Sequence, residues 1–326
     1  VTSVRAQEPQ DFSRIIEEID RRLDVPPMPP APARVRIVTS PWLRSLLPRA
    51  ISIDRAERRG SRAWERDPEQ RAHALSAMET VVAGTEQADA LAEHARQHLS
   101  ERKVIDTIFW HRWITPSLDA HSRENGRAAL DSGRGVFLST CHLGPFFCAA
   151  KGLQTLGCQP YVVAGSWWFE TPTHDYWGRR LAHWRKNEDW LRFVRASGSY
   201  ALLRELLRRG EQVMCQFDMP GCRETHFLGK PATLADGAAR LALDADALIL
   251  PTRVRRAGHT LWLDLAPALD PRELLDVDAL HRDLAAQHER WILEYPAALE
   301  NPRDTGWDAS PSAWLHPKAR ARPLSG

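Results

Sequence analysis

Downstream of residue 134 the chain alternates short apolar runs with amphipathic stretches. Residues 135–140, GVFLST, are a short apolar strand introduced by the glycines of DSGRG. A helix is expected directly afterwards over 144–156. PYVVA (160–164) predicts a second strand, THDYWGRRLAHWRK (173–186) a polar, aromatic helix, and LRFVR (191–195) a third strand. Residues 200–209 place Leu202, Leu203, Leu206 and Leu207 on one side of a helix that Gly210 stops. In QVMCQF (212–217) Val213, Cys215 and Phe217 alternate with Gln212, Met214 and Gln216. Thr233 to Asp236 has capping-box spacing ahead of GAARLAL. ALILPTRV (247–254) reads as a strand buried on both faces, TLWLDLAP (260–267) as a sheet margin, and 277–294 as a closing helix before Pro296.

Upstream the period changes. Residues 69–82 and 86–113 are rich in Ala, Leu, Glu and Arg, with few breakers, and predict long helices. Before them, DVPPMPPAPA is extended or polyproline-like, with a helix expected over 11–23. From Arg34 to Arg66 nine Arg stand against Asp54, Glu57 and Glu65, a basic segment suited to an anionic partner or to plain solvation. The expected organisation is a Pro-rich, basic N-terminal arm (1–66), an α/β domain with a helical lead-in (67–300) and a C-terminal tail (301–326). Strands alternating with helices of this length predict an α/β fold: a mixed, largely parallel sheet flanked by helices, with a helical N-terminal region.

Composition narrows the class. Of 326 residues 43% are hydrophobic, and 44 basic side chains nearly balance 42 acidic ones, which excludes a disordered or collagen-like chain. The longest stretch free of Asp, Glu, Lys and Arg, 152–169, carries Gln154, Gln159 and Pro160, unlike a membrane-spanning helix. Five cysteines, an odd number without an export signal, point to reduced thiols and a cytoplasmic protein. No CxxC or CxH pattern suggests a metal site, and no cofactor is expected.

Candidate chemistry begins at His142, where the first strand hands over to a helix. Open α/β sheets keep their sites at that edge. Gly144 and Pro145 suit a tight turn and a helix start whose free N–H groups could meet an oxyanion. Cys141 adjoins His142 but points to the opposite face of a strand, and Cys148 reads as a small buried hydrophobe.

The segment ENGRAALDSGRGVFLSTCHLGPFFCAAKGLQTLG resembles the late acyltransferases of lipid A biosynthesis, within the lysophospholipid acyltransferase superfamily. ASGSYALLRELLRRGEQVMCQFDMPG, FLGKPATLADGAARLALDADALILPTRVRR and HERWILEYP continue the resemblance in order, over roughly residues 69–296. It implies an α/β sandwich with a helical lead-in and His142 as general base. It also implies an acceptor-binding loop around Phe227, Gly229 and Lys230, and a basic contact at Arg195. The family's H-x4-D/E pattern places an acid where this chain has Phe147. Asp218, at the end of a strand in FDMPG, is the foremost substitute, with Glu170 and Asp175 behind it. Trp167, Trp168 and Trp177 suit a pocket wall. The membrane-anchoring helix usual in the family is not visible here.

The expected function is therefore a soluble, cytoplasmic acyltransferase, free or peripheral to the membrane, acting on a small-molecule or lipid acceptor. The donor would be an acyl thioester on an acyl carrier protein or coenzyme A. One alternative is transfer from an aminoacyl-tRNA to a small amine or hydroxylamine in specialised metabolism. Another is an inactive ligand-binding homologue.

Overall fold

The structure is a computed structural model, describing residues 48–111, 114–165, 183–184, 188, 190–274, 276–300 and 302. Its helical lead-in comprises α1 (Arg49–Arg66), α2 (Pro68–Val82) and α3 (Leu91–Trp110). Asp67 separates the first two. Its backbone is extended and its carboxylate accepts the Gln70 N–H at 2.9 Å, capping α2 ahead of a proline at the first helical position. The basic segment thus enters the folded body through α1, which packs along α3. A fourth helix, α4 (Ala120–Leu130), is capped by Asp119.

The sheet follows: β1 (Val136–Thr140), α5 (Ala149–Gln154), β2 (Tyr161–Ala164), β3 (Arg192–Arg195), α6 (Tyr200–Arg208) and β4 (Gln212–Gln216). After a hairpin, β5 (Pro220–Phe227) and β6 (Lys230–Leu234), come α7 (Gly237–Ala245), β7 (Leu248–Ala257), β8 (Thr260–Leu265) and α8 (Val277–Glu294). The molecule is α/β. Its six-stranded sheet runs β3-β2-β4-β1-β7-β8, parallel throughout except for β8, which pairs antiparallel with β7 at one margin.

Period-2 alternation builds a core on each face. Phe137, Tyr161, Val213 and Ile249 meet α2, α6, α7 and α8 on one side, while Leu138, Val162, Met214 and Leu250 meet α1, α3, α4 and α5 on the other. Two expectations need correction. The helix over 144–156 is broken into a 3-10 turn (Phe146–Cys148) and the six-residue α5, because the chain first makes a tight turn at Gly144. Thr233 is not a cap but part of β6, and Asp236 spends its carboxylate on Arg223 and Arg240 while making no cap hydrogen bond.

Candidate active site

Strands β1 and β4 lie side by side in the middle of the sheet, with Thr140 opposite Gln216. Their onward connections leave in opposite directions, towards β2 from β1 and towards β7 from β4. Each connection crosses the other strand, through α5 on one face of the sheet and α7 on the other, and both strands end at the carboxyl edge where open α/β sheets place their sites. The ladder's next bond runs from the Phe217 N–H to the Thr140 carbonyl, at 2.6 Å. One step beyond, the Asp218 carboxylate takes over from the backbone. It accepts the His142 N–H at 3.0 and 3.2 Å and pairs with His142 Nδ1 at 3.0 Å. Asp218 is fully buried, whereas the His142 side chain keeps 30% of its surface.

This geometry sets the tautomer. An ionised carboxylate only accepts, so Nδ1 carries the proton and the neutral ring leaves Nε2 as a free lone pair. Burial pulls the His142 pKa down, but the negative charge and hydrogen bond of Asp218, then the charge of Glu300, outweigh it, and the net direction is up. Burial alone would raise the Asp218 carboxyl. The imidazole's charge, its hydrogen bond, the backbone N–H and then His288 hold it below the ordinary carboxylate range.

A short antiparallel ladder braces the turn after His142. Gly144 N–H donates to the Ala298 carbonyl at 2.8 Å, Glu300 N–H donates to the His142 carbonyl at 2.7 Å, and Leu143 bridges Leu299 between them. Leu143 and Leu299 both enter the core, so alternation turns His142 and Glu300 together to the other side as a cross-strand pair. Gly144 has φ +62°, and a Cβ there would lie 2.5 Å from the Val254 carbonyl oxygen. Its N–H is committed to Ala298, so Gly144 serves the turn, and the expectation of an oxyanion donor at this position is corrected.

Phe146 stands edge-on to the imidazole, with ring centroids 4.9 Å apart. Phe147 lies in the core on the sheet's other face, 4.8 Å from Phe109 and 2% exposed. The position resembling the family's acid thus packs among apolar side chains, and the carboxylate reaches His142 from β4 instead. Behind Asp218, Phe217 stacks on His288 at 5.0 Å, and His288 Nε2 shares a 2.9 Å hydrogen bond with Ser139. Burial pushes His288 down to about 4, against the pull of Asp218, so that ring is neutral. Burial also pushes the Cys141 thiol well up and the Cys215 thiol to about 12, leaving neither as a thiolate. Cys148 is buried.

The remaining candidates are spread out. Arg195 is exposed at the end of β3, and Phe227 is buried with its ring 6.0 Å from Phe217. Leu228 and Gly229, at φ +55° and +75°, form the two-residue turn between β5 and β6. The close backbone approach at Gly229 is to Gly84, whose carbonyl oxygen would lie 1.8 Å from an added Cβ, so this loop docks the hairpin onto the helical lead-in. Lys230 is half-buried beside it. Trp167, Trp168, Trp177, Glu170 and Asp175 lie outside the described residues. A cleft of about 620 Å³ opens elsewhere, between β5 and α8, lined by Arg223, His226, Asp236, Arg240 and His281. Arg223 and Arg240 there are paired with Asp236.

Sequence reasoning missed Glu300, Phe146 and the Ser139–His288 pair. Comparison with known protein families and with curated proteins finds no match for this chain. No described helix is long and apolar enough to cross a membrane, and among the described residues no group of three His, Cys, Asp or Glu could hold a metal ion.

Proposed function

We propose that the protein is an acyltransferase in which His142, held by Asp218, is the general base. The observation that carries this reading is the 3.0 Å His142–Asp218 pair at the carboxyl edge of the parallel sheet, with Nδ1 engaged and Nε2 open. Nε2 takes the proton from an acceptor hydroxyl or amine as that atom forms a bond to the acyl carbon of an activated donor. The donor's C–S or C–O bond then breaks, and the imidazolium returns its proton to the leaving group. Asp218 fixes the ring and stabilises the transient positive charge, the role the acid plays in Ser-His-Asp triads. The five free cysteines suit a reducing cytoplasm as the place of action.

The test incubates the protein with acyl-CoA, acyl-carrier and charged-tRNA donors against alcohol and amine acceptors, with products followed by mass spectrometry. Transfer by the wild type should fall about 10²- to 10⁴-fold in folded His142→Ala. Near wild-type transfer in that variant, or none from any donor, would overturn the reading.

A further inference from the structure

The arrangement of charge on α1 is unlike that of an ordinary solvated helix. Its acids Asp54 and Glu57 turn towards the body, where they pair with His259 at 2.8 Å and Arg256 at 2.9 Å. Its arginines do the reverse. Arg55, Arg58, Arg59, Arg62 and Arg66 are all exposed. At 3.6 residues per turn they fall within roughly 100° of arc and about 16 Å of axial length. None of the five makes a side-chain hydrogen bond or an ion pair among the described residues. Within α1, Glu65 is the one exposed carboxylate. Five pairs of these arginines sit three or four residues apart, the spacing at which like charges destabilise a helix, so the face is maintained against its own repulsion.

The stripe also has a place. The Glu57–Arg256 pair anchors α1 to the end of β7, two residues past Val254, whose carbonyl lies against Gly144. The arginines are therefore carried at the same edge of the sheet as His142. Their surroundings discriminate between polyanions. A membrane-surface helix needs an apolar flank, and a protein interface needs an apolar centre. The stripe offers Ile51 at its start and no other exposed large hydrophobic residue of α1. Repeated guanidinium groups with no apolar partner suit a phosphate backbone, which is bound by charge neutralisation and bidentate contacts.

We infer that the arginine face of α1 docks the phosphate backbone of a folded RNA, which brings the donor group to His142 as an ester. The docking stands on α1 alone, and the delivery rests on the acyl-transfer reading. In that step the acceptor nitrogen or oxygen forms a bond to the ester carbonyl carbon and the C–O bond to the RNA breaks. The acceptor's proton passes through His142 to the departing ribose oxygen.

Fluorescence anisotropy with labelled, uncharged bulk tRNA tests the docking without turnover. Binding at about 50 mM salt should weaken by ~10²-fold at 200 mM, as expected for about five phosphate contacts. The quadruple variant Arg55→Gln, Arg58→Gln, Arg59→Gln, Arg62→Gln should lose that binding. The single variants Arg58→Gln and Arg62→Gln should each reduce the slope of log K against log salt by about 0.7–0.9, which keeps the test available if the quadruple variant misfolds. No tRNA binding at low salt, or unchanged binding by the folded variants, overturns the inference. So does preferential capture of phosphatidylserine-containing vesicles or of an acidic carrier protein. Binding without transfer from any donor would sink the acyltransferase reading and the delivery that rests on it, and leave the docking standing. Transfer from a thioester by a protein that ignores tRNA would sink this one alone.

Discussion

On the acyl-transfer reading His142 must be neutral to act, and two carboxylates decide when it is. Asp218 meets Nδ1 and the backbone N–H of the same residue, and Glu300 faces it across the two-strand ladder. Both favour the imidazolium against burial, so kcat should rise with pH through a midpoint above the ordinary histidine value of about 6.5. Asp218→Asn should move that limb to lower pH and reduce kcat by roughly 10²-fold or more. Glu300→Gln should move it down by less and preserve kcat on the alkaline plateau, because the Asp218 hydrogen bond survives. A pH–rate profile of the three proteins reads both effects, and a wild-type limb below pH 6 would contradict them. The sign for stability is the same as for any raised histidine. The contribution of the charged pair is full below about pH 6.5 and is lost as pH climbs through the folded-state pKa of His142. His142 could be read from sequence because its signal is local, an apolar run ending in His-Leu-Gly-Pro. Asp218 could be reached as the acid at another strand's end. Glu300 gave no such signal, because only the fold of α8 back onto the His142 turn brings it near.

At the scale of elements, the strands buried on both faces were legible, since each opens on or consists of an apolar run: 136–138 in β1, 161–164 in β2 and 248–251 in β7. The β5–β6 hairpin was not. Its strands are mostly half-buried or exposed, with polar residues such as Arg223, Glu224 and Thr225, and its turn uses Leu228 rather than a usual turn-former. Two changes test how these elements are held. Phe147→Glu puts a carboxylate against Phe109 in the sheet's second core, distant in role from the imidazole, and should cost several kcal/mol in denaturant unfolding. It should bring no gain with any acceptor, and faster alcohol transfer would show that the new acid reaches His142 after all. Gly229→Ala asks a turn at φ +75° to hold a Cβ against the Gly84 backbone. A loss of about 1–3 kcal/mol is expected, again read from the denaturation midpoint.

For the whole molecule, α1 joins stability to the reading of its arginine face. Five like-charge neighbours line that face: Arg55 with Arg58 and Arg59, Arg62 with the same two, and Arg62 with Arg66. Each such pair on an exposed helix costs about 0.2–0.5 kcal/mol. Salt should relieve the repulsion, because exposed charges a few ångströms apart are increasingly screened as the Debye length falls to about 10 Å at 0.1 M. The wild-type Tm should therefore rise between low and moderate sodium chloride. Arg62→Gln removes three of the five pairs without harming helix propensity, so it should raise Tm at low salt and flatten the salt dependence. If the arginines were a neutral solvated surface, the substitution would leave Tm and its salt dependence unchanged. If they were buried against a neighbouring acidic segment, it would lower Tm instead. A gain in stability together with a loss of RNA affinity in this one variant would be the trade expected where a surface is kept for binding rather than for folding.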